Sequence, residues 1–109
     1  MDEVLVVLTS LPERAAALKL AQELVARRLA ACVNVLAECT SVYRWKGAVE
    51  NATEVPVIIK TRAALYAEVE AAIAKLHPYE LPEIIAVPVT HGLGEYLEWV
   101  AGETAISIS

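Results

Sequence analysis

The chain has no phenylalanine, a single methionine, four glycines and only two cysteines in 109 residues. Two cysteines cannot staple a small secreted domain, and neither a CxxC nor an HxxxH spacing is present to mark a local zinc site. A strand running through both Cys32 and Cys39 would send them to opposite faces, as two small hydrophobes in a reducing cytosol. Any metal site must therefore be assembled from distant segments or from several chains. No apolar run approaches the ~20 residues of a membrane-spanning helix, so no membrane is expected as a partner. The opening MDEVLVVL is acidic where a signal peptide is basic, so the expected address is the cytoplasm. A nucleophile elbow, a P-loop and a dinucleotide fingerprint are also missing, and an enzyme is not expected. Nine scattered Lys and Arg against fourteen Asp and Glu give a net charge of −5, which argues against nucleic acid.

What is present is apolar: 57% of the residues are hydrophobic, rich for one small domain, so burial against a neighbouring subunit is expected. EVLVVLTS, from Glu3 to Ser10, reads as a strand buried on both faces. Ser10 and Glu13 have capping-box spacing ahead of a helix reaching about Leu29, with Leu18, Ala21, Val25 and Leu29 as its apolar stripe. ACVNVL and TSVYRWKG read as strands, KGAVENATE as a polar hairpin end, and VPVIIKT as the return strand. Thr61 is placed to cap a second helix with the stripe Leu65, Val69, Ala72, Ile73 and Leu76, which must stop near His77 because Pro78 follows. EIIAVPVTH reads as a fourth strand, HGLGEYLEWVAG as a short helix between glycines, and TAISIS as an alternating tail that could extend a sheet edge. His91 reads as a turn residue.

The order β-α-β-β-α-β with an added C-terminal helix is a ferredoxin-like α+β sandwich, a single domain over residues 1–109. In that topology the fourth strand is an edge beside the first, which suits Pro88. Pro56 sits in an internal strand, and is expected where the hairpin projects beyond the main sheet.

Functional interest centres on KLHPYELPEII. Two prolines hold the loop in one shape and present His77, Tyr79 and Glu83 at nearly fixed positions. His77 is either a helix terminator bonding loop backbone, or a metal ligand, or, least favoured, a proton-transfer group of an enzyme acting with Glu83 or Lys60. Tyr43 and Trp45, two apart on one strand, pack against a partner subunit or form a stacking wall. Lys60 precedes a helix start and can offer an ammonium to a small anionic ligand, or pair with Glu80 or Glu83. Tyr43, Trp45, Lys60, Thr61, Tyr79 and Glu83 are expected to meet at an inter-subunit cleft, with His77 a candidate metal residue beside it.

The stretches LTSLPE, RRLAACVNV, TSVYRWKG, VIIKTR, LHPYELPEII and EYLEWV, in that order from about Val4 to Val100, resemble the CutA family of divalent-cation-tolerance proteins. The resemblance implies a cytosolic homotrimer of ferredoxin-like subunits with long hairpins wrapping their neighbours, and a link to copper tolerance. The architecture is also similar to PII signalling trimers, which bind small effectors between subunits. Copper is thus a possible ligand, though not an obligatory cofactor. The alternatives are PII-like effector signalling or a purely structural trimer. Two proposed copper ligands of the family do not carry over: Thr9 stands where some members have a cysteine, and Leu76 where they have an extra histidine. Only His77 matches, which weakens both a soft-ligand and a multi-imidazole site.

Overall fold

Val4–Leu11 forms β1, one of two inner strands of the sheet. Val7, Thr9 and Leu11 are buried on one face while Val6 and Leu8 on the other are only half-buried, so the expected burial on both faces is not met. The computed structural model describes residues 2–104. From β1 the chain runs through helix α1 (Arg14–Ala26), β2 (Cys32–Val35), β3 (Cys39–Trp45) and the fifteen-residue β4 (Ala48–Arg62). A 3-10 turn at Ala63–Leu65 leads into α2 (Tyr66–Leu76), followed by β5 (Ile85–Pro88) and α3 (Gly94–Glu103). The main sheet is ordered β2-β4-β1-β5 with every neighbouring pair antiparallel, and β3 pairs with the outer half of β4. This is the expected ferredoxin-like arrangement, with β5 at the edge and Pro88, its last residue, opposite Leu5.

Helices α1 and α2 cover one face. Val7 and Leu11 of β1 and Val55, Val57 and Ile59 of β4 alternate inward to meet Ala17, Leu20 and Leu24 of α1 and Val69, Ala72 and Ile73 of α2. The α2 stripe is the expected one. In α1 the buried side is Ala17, Leu20, Ala21 and Leu24, while Leu18 and Val25 stay 41% and 44% exposed. The small alanines face the core, a phase that the larger Leu18 and Val25 disguise. The helix also ends earlier than Leu29. Arg28 takes a left-handed φ of 59°, and the amide of Leu29 bonds the carbonyl of Leu24, a Schellman-type stop built without glycine. Arg28 then donates to the carbonyls of Gly102 and Glu103, closing the C-terminus of α3 as well. Val100 of α3 packs on Val4 and Ala31, on the side of the sheet opposite to Val7.

Four local expectations are corrected. Ser10 and Glu13 form no capping box: β1 continues through Ser10 to Leu11, and Glu13 is an extended N-cap residue without a side-chain cap bond. Thr61 does not cap α2. It lies in β4, fully buried, and donates to the carbonyl of Leu29, while the Asp2 carboxylate receives the Ala64 amide at the 3-10 turn. The hairpin end is only Lys46–Gly47, with φ of 48° and 83°, so Ala48 pairs with Trp45 and the supposed loop from 48 to 54 is strand. Positive φ at both central residues marks the tight turn whose twist suits a hairpin. Pro56 lies inside the main sheet, opposite Ser10. Its carbonyl accepts from the Leu36 amide, so its nitrogen faces the break between β2 and β3, where no ladder donor is required. The alternating tail, beyond Thr104, lies outside the described residues.

Beyond the Val4 end, where α3 packs, the second face of the sheet is open. Register places Val6 and Leu8 of β1, Ile58 and Lys60 of β4, and Ile85 and Val87 of β5 on it together. Ile85 and Val87 are each 51% exposed.

Candidate functional site

The β3–β4 hairpin and the loop between α2 and β5 enclose a cleft of about 950 Å³. Strand alternation puts Ser41, Tyr43 and Trp45 of β3 on the same hairpin face as Glu50 and Glu54 of β4, since Tyr43 pairs with Glu50 and Cys39 with Glu54. The opposing wall is Pro78 to Ile85, carrying Tyr79, Glu80 and Glu83. Lys46 at the turn lays its ammonium 5.5 Å from the Trp45 ring centroid and 3.9 Å from the Glu80 carboxylate.

Tyr43, Trp45, Tyr79 and Glu83 line this one opening, and the aromatic strand and the proline loop that face each other across it belong to the same chain. Lys60 and Thr61 are elsewhere. Lys60 projects from the open sheet face, where its ammonium bonds the Asn34 side chain; it reaches neither a helix N-terminus nor Glu80 or Glu83. Thr61 points the opposite way, into the helix-covered core. The cysteines lie on different strands, Cys32 half-buried in β2 and Cys39 exposed in β3. His91 is exposed in a bend beside the Thr90 hydroxyl.

His77 ends α2 and stands behind the cleft wall. It is 8% exposed, and its Nε2 lies 2.6 Å from the Ser10 carbonyl while its Nδ1 accepts the Tyr79 amide at 3.2 Å. The Ser10 carbonyl can only accept, which assigns the proton to Nε2. Both nitrogens are engaged, so a metal at His77 would have to displace one of these contacts. Among the described residues, no three His, Cys, Asp or Glu side chains converge to hold a metal ion. The donors of one subunit therefore do not fit a copper site.

Tyr79 stacks at a tilt on His77, with centroids 4.7 Å apart. Burial pushes its phenol above the ordinary tyrosine range, and the Glu54 carboxylate and Tyr43 nearby add to this. Glu50 and Glu54 are the site residues that sequence reasoning passed over. Their signal was a spacing of four in VENATE, two strand periods on one face.

Fold and cleft define a small ferredoxin-like protein with an overlong hairpin that walls an open cleft. The family profile of the CutA1 divalent ion tolerance protein matches residues 5–103, and the chain belongs to that family. It is 40% identical over 104 residues to the divalent-cation tolerance protein CutA of Thermus thermophilus, covering 95% of this chain and 99% of that one. It is 42% identical to the chloroplastic CutA of Arabidopsis thaliana over 92% of this chain, and spans 55% of that relative's length. The crystal structure of CutA1 from Oryza sativa superposes with a TM-score of 0.92 at 37% identity, covering 97% of each chain.

Proposed function

We propose that this divalent-cation-tolerance protein works as a homotrimeric binding module that takes a small cationic ligand, copper or another, at clefts completed by neighbouring subunits. The cleft carries the reading: four carboxylates and three aromatic rings line a single opening in a chain of net charge −5. Such a lining favours positive charge. The open apolar sheet face supports assembly, since exposed patches of this kind mark interfaces. Because one subunit's donors do not converge, a metal would need ligands from more than one subunit. In this reading the module senses or buffers its ligand and is not an enzyme. A half-buried and an exposed free thiol suit a reducing compartment such as the cytoplasm. The purely structural trimer is favoured by one observation, the full use of His77 in local hydrogen bonds.

Native mass spectrometry with and without copper tests the proposal, reading subunit count and ligand stoichiometry together. Three subunits with added copper mass are expected. A lone monomer overturns the assembly, and a trimer that takes up no cation of any kind leaves the structural reading.

A further inference from the structure

We propose that the cleft is shaped for an aliphatic polyamine. The inference rests on the cleft being the binding site and concerns which cation it takes. A bare metal ion needs several donors drawn around one point, at about 2.0–2.6 Å for hard oxygen ligands. The cleft does not offer that. Glu50, Glu54, Glu80 and Glu83 all line it, yet no three such groups converge, so the negative charge is strung along the opening. A chain of ammonium groups separated by methylenes matches that distribution, with a carboxylate for each charge. Tyr43, Trp45 and Tyr79 supply faces on which methylenes pack and ammonium groups sit. The volume, about 950 Å³, is enough for such a ligand.

The protein's own Lys46 displays the chemistry. Its side chain is an aliphatic ammonium on a four-carbon stem, and it rests over Trp45 beside Glu80. Lys46 stands outside the lining, at the rim, where its ammonium competes for two of the lining residues an incoming polyamine would use. Lys46 sits in a tight turn with its side chain mostly exposed, so it can swing away without disturbing the core.

Calorimetric titration of the assembled protein with spermidine tests this, with magnesium chloride at matched ionic strength for comparison. Saturable binding at one spermidine per subunit is expected. Glu54→Gln and Trp45→Ala should each weaken it by about tenfold, while Lys46→Ala should tighten it, since the internal competitor is gone. The Lys46 variant decides the matter even if Trp45→Ala misfolds. A spermidine signal no stronger than that of magnesium overturns the proposal, and so does one indifferent to all three substitutions, which marks diffuse attraction to an acidic surface. Copper uptake by the same trimer without spermidine binding overturns the polyamine and leaves the broader cation reading standing.

Discussion

The Nε2 of His77 donates to the main-chain carbonyl of Ser10, 67 positions earlier, at 2.6 Å. The bond ties the end of α2 to the end of β1 from behind the cleft, while Nδ1 receives the Tyr79 amide and sets the loop's first turn. A single imidazole thereby fixes the floor and one wall of the site.

His77→Leu should keep the packing volume but orphan the Ser10 carbonyl and the Tyr79 amide. A fully buried orphan costs about 1–3 kcal/mol and these two are part-buried, so denaturant unfolding at fixed protein concentration should show a loss of about that size in all. A variant as stable as the parent would remove the architectural role.

Thr9 is the opposite case. It is 2% exposed on the helix-covered face, and its hydroxyl has no hydrogen-bond partner among the described residues. Thr9→Val should stabilise the subunit by about 1 kcal/mol, because it replaces a desolvated hydroxyl with a methyl of the same shape. Thr9→Ser, which keeps the hydroxyl and opens a small void, should destabilise it. A loss of stability in the valine variant would mean that the hydroxyl is satisfied after all.

These two positions show how much of the molecule was legible. Element order, the β1–β5 neighbourhood and the edge position of Pro88 follow from local pattern, since periodicity and proline act within a few residues. The proline-framed loop was likewise visible as a rim. Whether Lys60 and Thr61 point toward that rim depends on side alternation along a strand and on its pairing register. The register sends Lys60 to Asn34 and Thr61 to Leu29. Glu50 and Glu54 were obscured because β4 outruns the core. Beyond Val55 it pairs only with β3, so neither face of that stretch carries the apolar alternation that announces a strand.

Asp2 should set part of the acid limb of stability. Burial opposes its ionisation, but the Ala64 amide and the Arg62 guanidinium outweigh it and hold the carboxyl below its ordinary value of 3.8. A folded-state value below the unfolded one gives stability that is present above about pH 4 and lost as pH falls through the folded value. Asp2→Asn should therefore lower stability at neutral pH while matching the parent at pH ~2, and flatten the profile between. Parallel profiles for the two proteins would show that the contact contributes nothing.

Tyr79 reports on the cleft itself. Its phenol is held above the ordinary range first by burial and then by Glu54. Glu54→Gln should bring its ionisation back toward 10 in an ultraviolet titration, with Tyr79→Phe identifying which transition belongs to it. Being raised, this group's contribution to stability is complete below about pH 10 and is lost as pH rises through the folded value. An unshifted titration in the Gln variant would place Glu54 too far from the phenol to matter.

The open sheet face yields the most direct test of assembly. Val6, Leu8, Ile58, Ile85 and Val87 form one apolar surface across three strands, beyond the Val4 end where α3 packs. Val87 is 51% exposed on the edge strand, so a charge there can be solvated in the isolated subunit. Val87→Glu should leave the circular dichroism of the subunit intact, because β5 keeps its ladder with β1. In an assembly buried at this face, the same carboxylate would be desolvated near its copies in the other subunits, costing several kcal/mol per ion. Sedimentation should therefore show the variant shifted from three subunits toward one at micromolar concentration. The helix substitution Leu18→Glu supplies the comparison, because Leu18 is also exposed but lies on the outer side of α1, on the covered side of the sheet. A Val87→Glu protein that sediments as the full assembly would mean that the subunits meet elsewhere and that this face is covered by something other than a copy of the chain.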